Sequence, residues 1–176
     1  MRITKKLLIY STDKFGFEIT HGYGNYYDAL FEPMESKELM IAEVGVMHGG
    51  SVRILHDYFV NSIIHGIDNV DNWAGADISD YPRLSLHIMD AYNPANWRTL
   101  PKFDIIIDDG SHTLADQIHV LRHFPNYLKK GGKLIIEDIP RENLQKILDS
   151  CNKDVLVYDF NKNVFDDMII EYTHDT

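Results

Sequence analysis

Five short stretches of the chain carry side chains that can hold a ligand, a cation or a proton. The first, Glu43-Val-Gly45-Val-Met-His-Gly49-Gly50-Ser51, is a glycine turn leading into a helical pattern, where backbone N–H groups and a helix dipole suit an anionic group. Its Gly-x-x-x-Gly spacing departs from the Gly-x-Gly-x-x-Gly dinucleotide fingerprint, which argues against a nicotinamide or flavin. Asp68 follows Gly45 by 23 residues and ends an apolar run, where a carboxylate can accept the hydroxyl protons of a ribose. Asp90 ends the next apolar run, beside the expected position of a base. The last two stretches are Asp108-Asp109-Gly110-Ser111-His112-Thr113 and Glu137-Asp138. Carboxylate oxygens without thiols suit a hard cation, with Mg²⁺ first and Mn²⁺ or Ca²⁺ behind it. A hydrolase acting through Ser111 is disfavoured, because a serine beside its own base in sequence is badly placed to bond it and Gly-x-Ser-x-Gly is absent.

Those residues need elements that end together. Leu39–Val44, Ser62–Ile67, Leu84–Met89, Phe103–Asp108 and Lys133–Glu137 have strand length and an apolar content suited to burial on both faces. They predict a mostly parallel sheet, whose ligands bind beyond the carboxyl ends of the strands. Val52, Leu55 and Phe59 share a helical face after Ser51, and Thr113 with Asp116 is a cap signal before Leu114, Ile118 and Leu121. Pro125 should end or kink that helix, and Gly131-Gly132 should turn the chain into the fifth strand. After a helix around Glu142 to Leu148, the runs Val155–Asp159 and Met168–Tyr172 are too close for a crossover helix and predict an antiparallel pair. The fold expected is therefore α/β, a doubly wound sheet in a single domain over 1–176. Residues 1–38 are expected to form an N-terminal lid over the carboxyl edge, with a short helix within Asn25–Phe31. Tyr23, Tyr26 and Tyr27, with His21, either line an acceptor pocket or cover the core.

Composition narrows the partners. Lys plus Arg number 17 against 27 Asp plus Glu, and the net charge of −10 repels polyanions, so no nucleic acid is expected. Apolar residues at 44% and charged residues at 25% fit a soluble globular chain rather than a disordered one. Apolar stretches such as Lys6–Tyr10 and Phe103–Ile107 are far below the roughly 18 to 20 residues that span a bilayer, so no membrane partner is expected. The lone Cys151 cannot form an intramolecular disulfide, and nothing resembles an export signal, so a cytoplasmic location is expected.

The ordered set Glu43-x-Gly45-x-x-x-Gly49, Gly66-Ile-Asp68, Asp90, Ile107-Asp-Asp-Gly-Ser-His-Thr113, Gly131-Gly132 and Ile136-Glu-Asp138 resembles class I S-adenosylmethionine-dependent methyltransferases, which have a Rossmann-like fold. More narrowly it is similar to the macrocin and mycinamicin sugar O-methyltransferases, with cephalosporin-hydroxylase-type relatives. The resemblance runs over about residues 10 to 172 and includes Ser11-Thr-Asp-Lys14 and His21-Gly-Tyr23. It departs at Ser11, where glycine is usual, and the auxiliary domain of some relatives is not expected here, so the acceptor pocket and oligomer contacts are expected to differ.

The resemblance implies S-adenosylmethionine and Mg²⁺ (or Mn²⁺) as cofactors and a hydroxyl of a small molecule, first of all a sugar, as acceptor. Gly45 and Gly49 would face the methionine part of the cofactor, Glu43 would steady that turn, and Ser51 or Lys14 would lie near the carboxylate. Asp68 would hold the ribose, Asp90 and Tyr92 would border adenine, and Asp108 is counted with the cofactor-binding residues. Asp109, Glu137 and Asp138 would bind the metal, and His112 would be the general base. The other histidines are weaker candidates: His48 lies in the glycine turn, while His56, His65, His87, His119 and His123 fall on expected strands or helices and are expected to be structural. A non-catalytic binder of the same cofactor and a metal-dependent hydrolase remain as alternatives, and a homo-oligomer is left open.

Overall fold

The apolar runs pair as strands: β1 (Met40–Val44), β2 (Ile63–Asp68), β3 (Leu84–Ile88), β4 (Phe103–Asp108), β5 (Leu128–Ile136), β6 (Val155–Asp159) and β7 (Met168–Thr173). Helices α1 (Gly24–Phe31), α2 (Gly50–Tyr58), α3 (Leu114–His123) and α4 (Arg141–Asp149) lie between and before them. This is a computed structural model, and it describes residues 3–6, 22–73, 77–161 and 165–175. The strand order is β3-β2-β1-β4-β5-β7-β6, with the first five parallel and β7 and β6 antiparallel. From β1 the chain builds outward through β2 and β3, then crosses to β4. The carboxyl ends of β1 and β4 therefore form the switch point where open α/β sheets hold ligands.

Alternation of side chains sorts the core into two layers. Ile41, Ile105, Ile107, Ile135 and Ile169 face α1 and α2, packing with Tyr27, Phe31, Leu55 and Phe59. Ala42, Val44, Ile106, Leu134, Ile136 and Ile170 face α3 and α4, packing with Val120, Leu121 and Ile147. The central strands β1 and β4, buried on both faces, need the near-continuous apolar runs that the sequence shows, whereas β3 at the sheet edge is largely exposed or half-buried.

Local chemistry sets the element ends. Thr113 caps α3 by accepting the Asp116 N–H at 3.2 Å, while its hydroxyl donates to the Asp116 carboxylate at 2.8 Å. That helix ends at His123, before Pro125, in a short 3₁₀ turn over Phe124–Tyr127. The expectation for β5 needs correcting: Gly131-Gly132 lies inside the element rather than before it. Phe103 pairs with Leu128, but Ile105 pairs with Lys133, so β5 bulges outward between them. Gly131 takes φ +76°, and a Cβ on Gly132 would sit 3.0 Å from the Phe103 carbonyl oxygen, which is why this detour uses glycines.

Of the lid expected over 1–38, residues 1–2 and 7–21 lie outside the described residues. Its described part is packed: Ile3, Tyr23, Tyr27 and Phe31 are fully buried, joined to the layer of α2. No helix among the described residues is long and apolar enough to cross a membrane.

Candidate cofactor and cation site

The sheet register brings the candidate stretches to one level. The Gly45 N–H donates to the Ile67 carbonyl at 2.9 Å, Asp109 N–H to Val44 at 2.9 Å, and Glu137 N–H to Asp108 at 3.0 Å. The parallel ladder thus continues one residue past β1, β4 and β5. Gly45 has φ +87°, and a Cβ there would lie 1.9 Å from the Asp109 carbonyl oxygen. The glycine lets the two loops touch.

Beyond this level opens a cleft of about 460 Å³, within the range of small-molecule sites. Gly45, Asp68, Asp90, Tyr92, Asp109, His112 and Asp138 all line it. Asp68 Oδ2 accepts from the N–H groups of Val46 and Met47, both at 2.9 Å, and Oδ1 accepts from Val70 N–H at 3.0 Å. The acid thereby braces the glycine turn, and a carboxylate with about four acceptor sites still has capacity for a hydroxyl proton. Asp90 closes a local turn by accepting from Tyr92 N–H at 2.9 Å. The Tyr92 hydroxyl donates to Asp108 Oδ1 at 3.3 Å and accepts from Ser111 N–H at 2.9 Å. Burial, then the Asp108 charge, pushes its pKa up, so it stays a proton donor. Gly110 is required above it, because a Cβ would sit 2.1 Å from that hydroxyl.

At the other end, Asp109, His112 and Asp138 each present a ligand atom, all within 4.8 Å of one another. His112 Nε2 lies 3.8 Å from both Asp109 Oδ1 and Asp138 Oδ2. His112 and Asp138 both take φ +53°, a conformation that side chains other than glycine adopt at a cost. The cleft wall carries four aspartates and no lysine or arginine among the described residues, a field that favours a sulfonium or a metal cation.

Several expected site residues do not reach this wall. Gly49 lies under the Trp73 ring, where a Cβ would come within 2.3 Å of it, and Ser51 is buried in the first turn of α2. Asp108 is 3% exposed and supports the cleft through Tyr92. Glu43 is fully buried on the α1 face, by the same alternation that buries Ile41. Glu137 extends the face of Ile135 toward α1, so its side chain departs from that of Asp138, and the Tyr27 hydroxyl donates to it. The structure thus brings Asp109 and Asp138 together around His112, while the Glu137 side chain beside them is engaged by Tyr27. Lys14 and His21 lie outside the described residues. Sequence reasoning did not single out Met47, Asn69, Val70, Asn72 and Met89 as lining, because loop apolar and amide residues carry no chemical signal of their own. It also passed over Gln117, whose Nε2 donates to the Asp138 carbonyl at 2.9 Å.

The seven-strand order and the strand-end site define the class: a Rossmann-like methyltransferase fold with its ligand cleft at the switch point. No family model matches the chain. The 8-demethyl-8-alpha-L-rhamnosyl tetracenomycin-C 2'-O-methyltransferase of Streptomyces olivaceus is 29% identical over 143 residues, covering 75% of this chain and 36% of that protein. The mycinamicin VI 2''-O-methyltransferase of Micromonospora griseorubida is 32% identical over 146 residues, covering 74% of this chain and 34% of that protein. A solved structure of the MycE methyltransferase from the mycinamycin biosynthetic pathway, in complex with Mg and SAH, aligns with a TM-score of 0.63 at 28% identity, over 77% of this chain and 35% of that one. A CmcI structure with Mg and SAM, 20% identical, shares the fold with a TM-score of 0.67 over 90% of this chain and 73% of that one. By sequence and fold the chain is related to the S-adenosylmethionine-dependent sugar O-methyltransferases of the macrocin and mycinamicin group. It spans about a third of the length of the curated relatives it matches.

Proposed function

We propose that the chain is the S-adenosylmethionine-binding, cation-dependent domain of an O-methyltransferase, acting on a hydroxyl of a sugar or glycoside. One observation carries the reading: Asp109, His112 and Asp138 cluster at one end of the cleft whose wall also includes Gly45, Asp68, Asp90 and Tyr92. A cofactor that is cationic at sulfur fits a wall of four aspartates, and the hydroxyls of its ribose fit Asp68. The names of the relatives support a sugar hydroxyl as the acceptor.

Asp109 and Asp138 are the carboxylates that would hold Mg²⁺, with Glu137 next to them in the chain and engaged by Tyr27. Bound there, the cation supplies Lewis acidity that makes an acceptor hydroxyl a stronger acid. His112 Nε2 faces the same space and takes the hydroxyl proton. S-adenosylmethionine bound in the cleft would supply a methyl group on positively charged sulfur, and the sulfur would leave with the electron pair of the broken carbon–sulfur bond. The leaving group is already good, so the protein contributes alignment and deprotonation. Transfer of a labelled methyl group to candidate glycosides, followed by mass spectrometry, tests this. Labelled product should require Mg²⁺ or Mn²⁺ and vanish with a chelator, whereas full turnover in chelator overturns the cation's part.

A further inference from the structure

Tyr23 precedes α1 and has no exposed surface. Its hydroxyl donates to Asp138 Oδ1 at 2.7 Å and accepts from Asp138 N–H at 3.3 Å. The Asp166 carbonyl is a longer second acceptor at 3.2 Å. A phenol has one proton, and the nearer, charged oxygen claims it. Gln117 Nε2 holds the Asp138 carbonyl from the α3 side. Asp138, at φ +53°, is thus held at its N–H, its C=O and one carboxylate oxygen. The other oxygen, Oδ2, is the one 3.8 Å from His112 Nε2.

We infer that Tyr23 is a positioning residue: by holding Asp138 Oδ1 it keeps Oδ2 turned toward Asp109 and His112, and so sets the affinity of that cluster for a divalent cation. The inference rests on reading the cluster as a cation site. Such outer partners of a ligating carboxylate commonly govern affinity by about 10- to 100-fold. Tyr26 is a matched control, since it is also buried with its hydroxyl on a carboxylate, Glu171 Oε2 at 2.9 Å, but that carboxylate does not line the cleft as Asp138 does.

Mn²⁺ binding followed by electron paramagnetic resonance, without cofactor or acceptor, tests the inference independently of turnover. Tyr23→Phe should raise the half-saturating Mn²⁺ concentration about tenfold or more, while Tyr26→Phe stays within about twofold of wild type. Unchanged Mn²⁺ affinity in Tyr23→Phe, or an equal loss in Tyr26→Phe, overturns the positioning role. Absence of Mn²⁺ binding in the wild-type protein instead overturns the cation reading beneath it. If Tyr23→Phe fails to fold, a wild-type crystal soaked in Mn²⁺ decides: the ion should bond Oδ2 with the Tyr23 bond intact, and an ion on Oδ1 with Tyr23 displaced refutes the inference.

Discussion

Gly45 and Asp109 meet at the switch point of the sheet, and a Cβ on the glycine would lie 1.9 Å from the carbonyl oxygen of the acid. The turn that braces on Asp68 and the loop that carries His112 are therefore one packed unit. Any shift of one loop moves the other, so a single substitution here disturbs both halves of the cleft.

Gly45→Ala should cost about 3 kcal/mol or more, combining overpacking with a side chain at φ +87°. Gly131→Ala is the comparison, since it has φ +76° but nothing within 4 Å of its Cβ position, and should cost only about 1 to 2 kcal/mol. Denaturant unfolding of both variants measures the difference. Equal losses would mean that the contact with Asp109 is not tight in solution.

Asp68→Ala should weaken S-adenosylmethionine binding by about 1.5 to 3 kcal/mol for each charge-assisted bond lost, before replacement by water. Loss of the bonds to Val46 and Met47 should also loosen the glycine turn. Isothermal calorimetry on the folded protein reads the affinity. A variant that binds as tightly as wild type would remove Asp68 from the cofactor site.

His112→Ala should lower methyl transfer by roughly 10² to 10⁴ while leaving cofactor affinity nearly unchanged. Turnover measured beside calorimetry separates the two. Near-wild-type turnover would assign the proton to another group.

His65 and His87 stack on β2 and β3, with Nδ1 of one 2.9 Å from Nε2 of the other. Burial, then His87, lowers the His65 pKa to about 4, and burial lowers that of His87. Both groups hold protons more weakly in the folded chain than in the unfolded one. Stability is thus intact above about pH 6.5 and falls as the pH drops toward 4. Thermal unfolding between pH 7.5 and 4.5 should show a shallower fall for His65→Gln than for wild type. Parallel curves would show that the pair carries no such linkage.

The strand assignments, the carboxyl-edge site and the methyltransferase resemblance were legible in the sequence, because runs such as Phe103–Asp108 are local and their apolar content allows little else. Legible too were the capping of α3 by Thr113 and the antiparallel pairing of β6 with β7. What needed the tertiary structure was the direction of each side chain beyond a strand end. Glu137 and Asp138 look equivalent in sequence, yet one continues the face of Ile135 to Tyr27 while the other turns, at φ +53°, toward His112. The bulge at Gly131-Gly132 and the tie from Tyr23 to Asp138 were likewise invisible. Each depends on which distant backbone or hydroxyl arrives nearby, and residues 115 positions apart leave no periodicity in the chain to announce it.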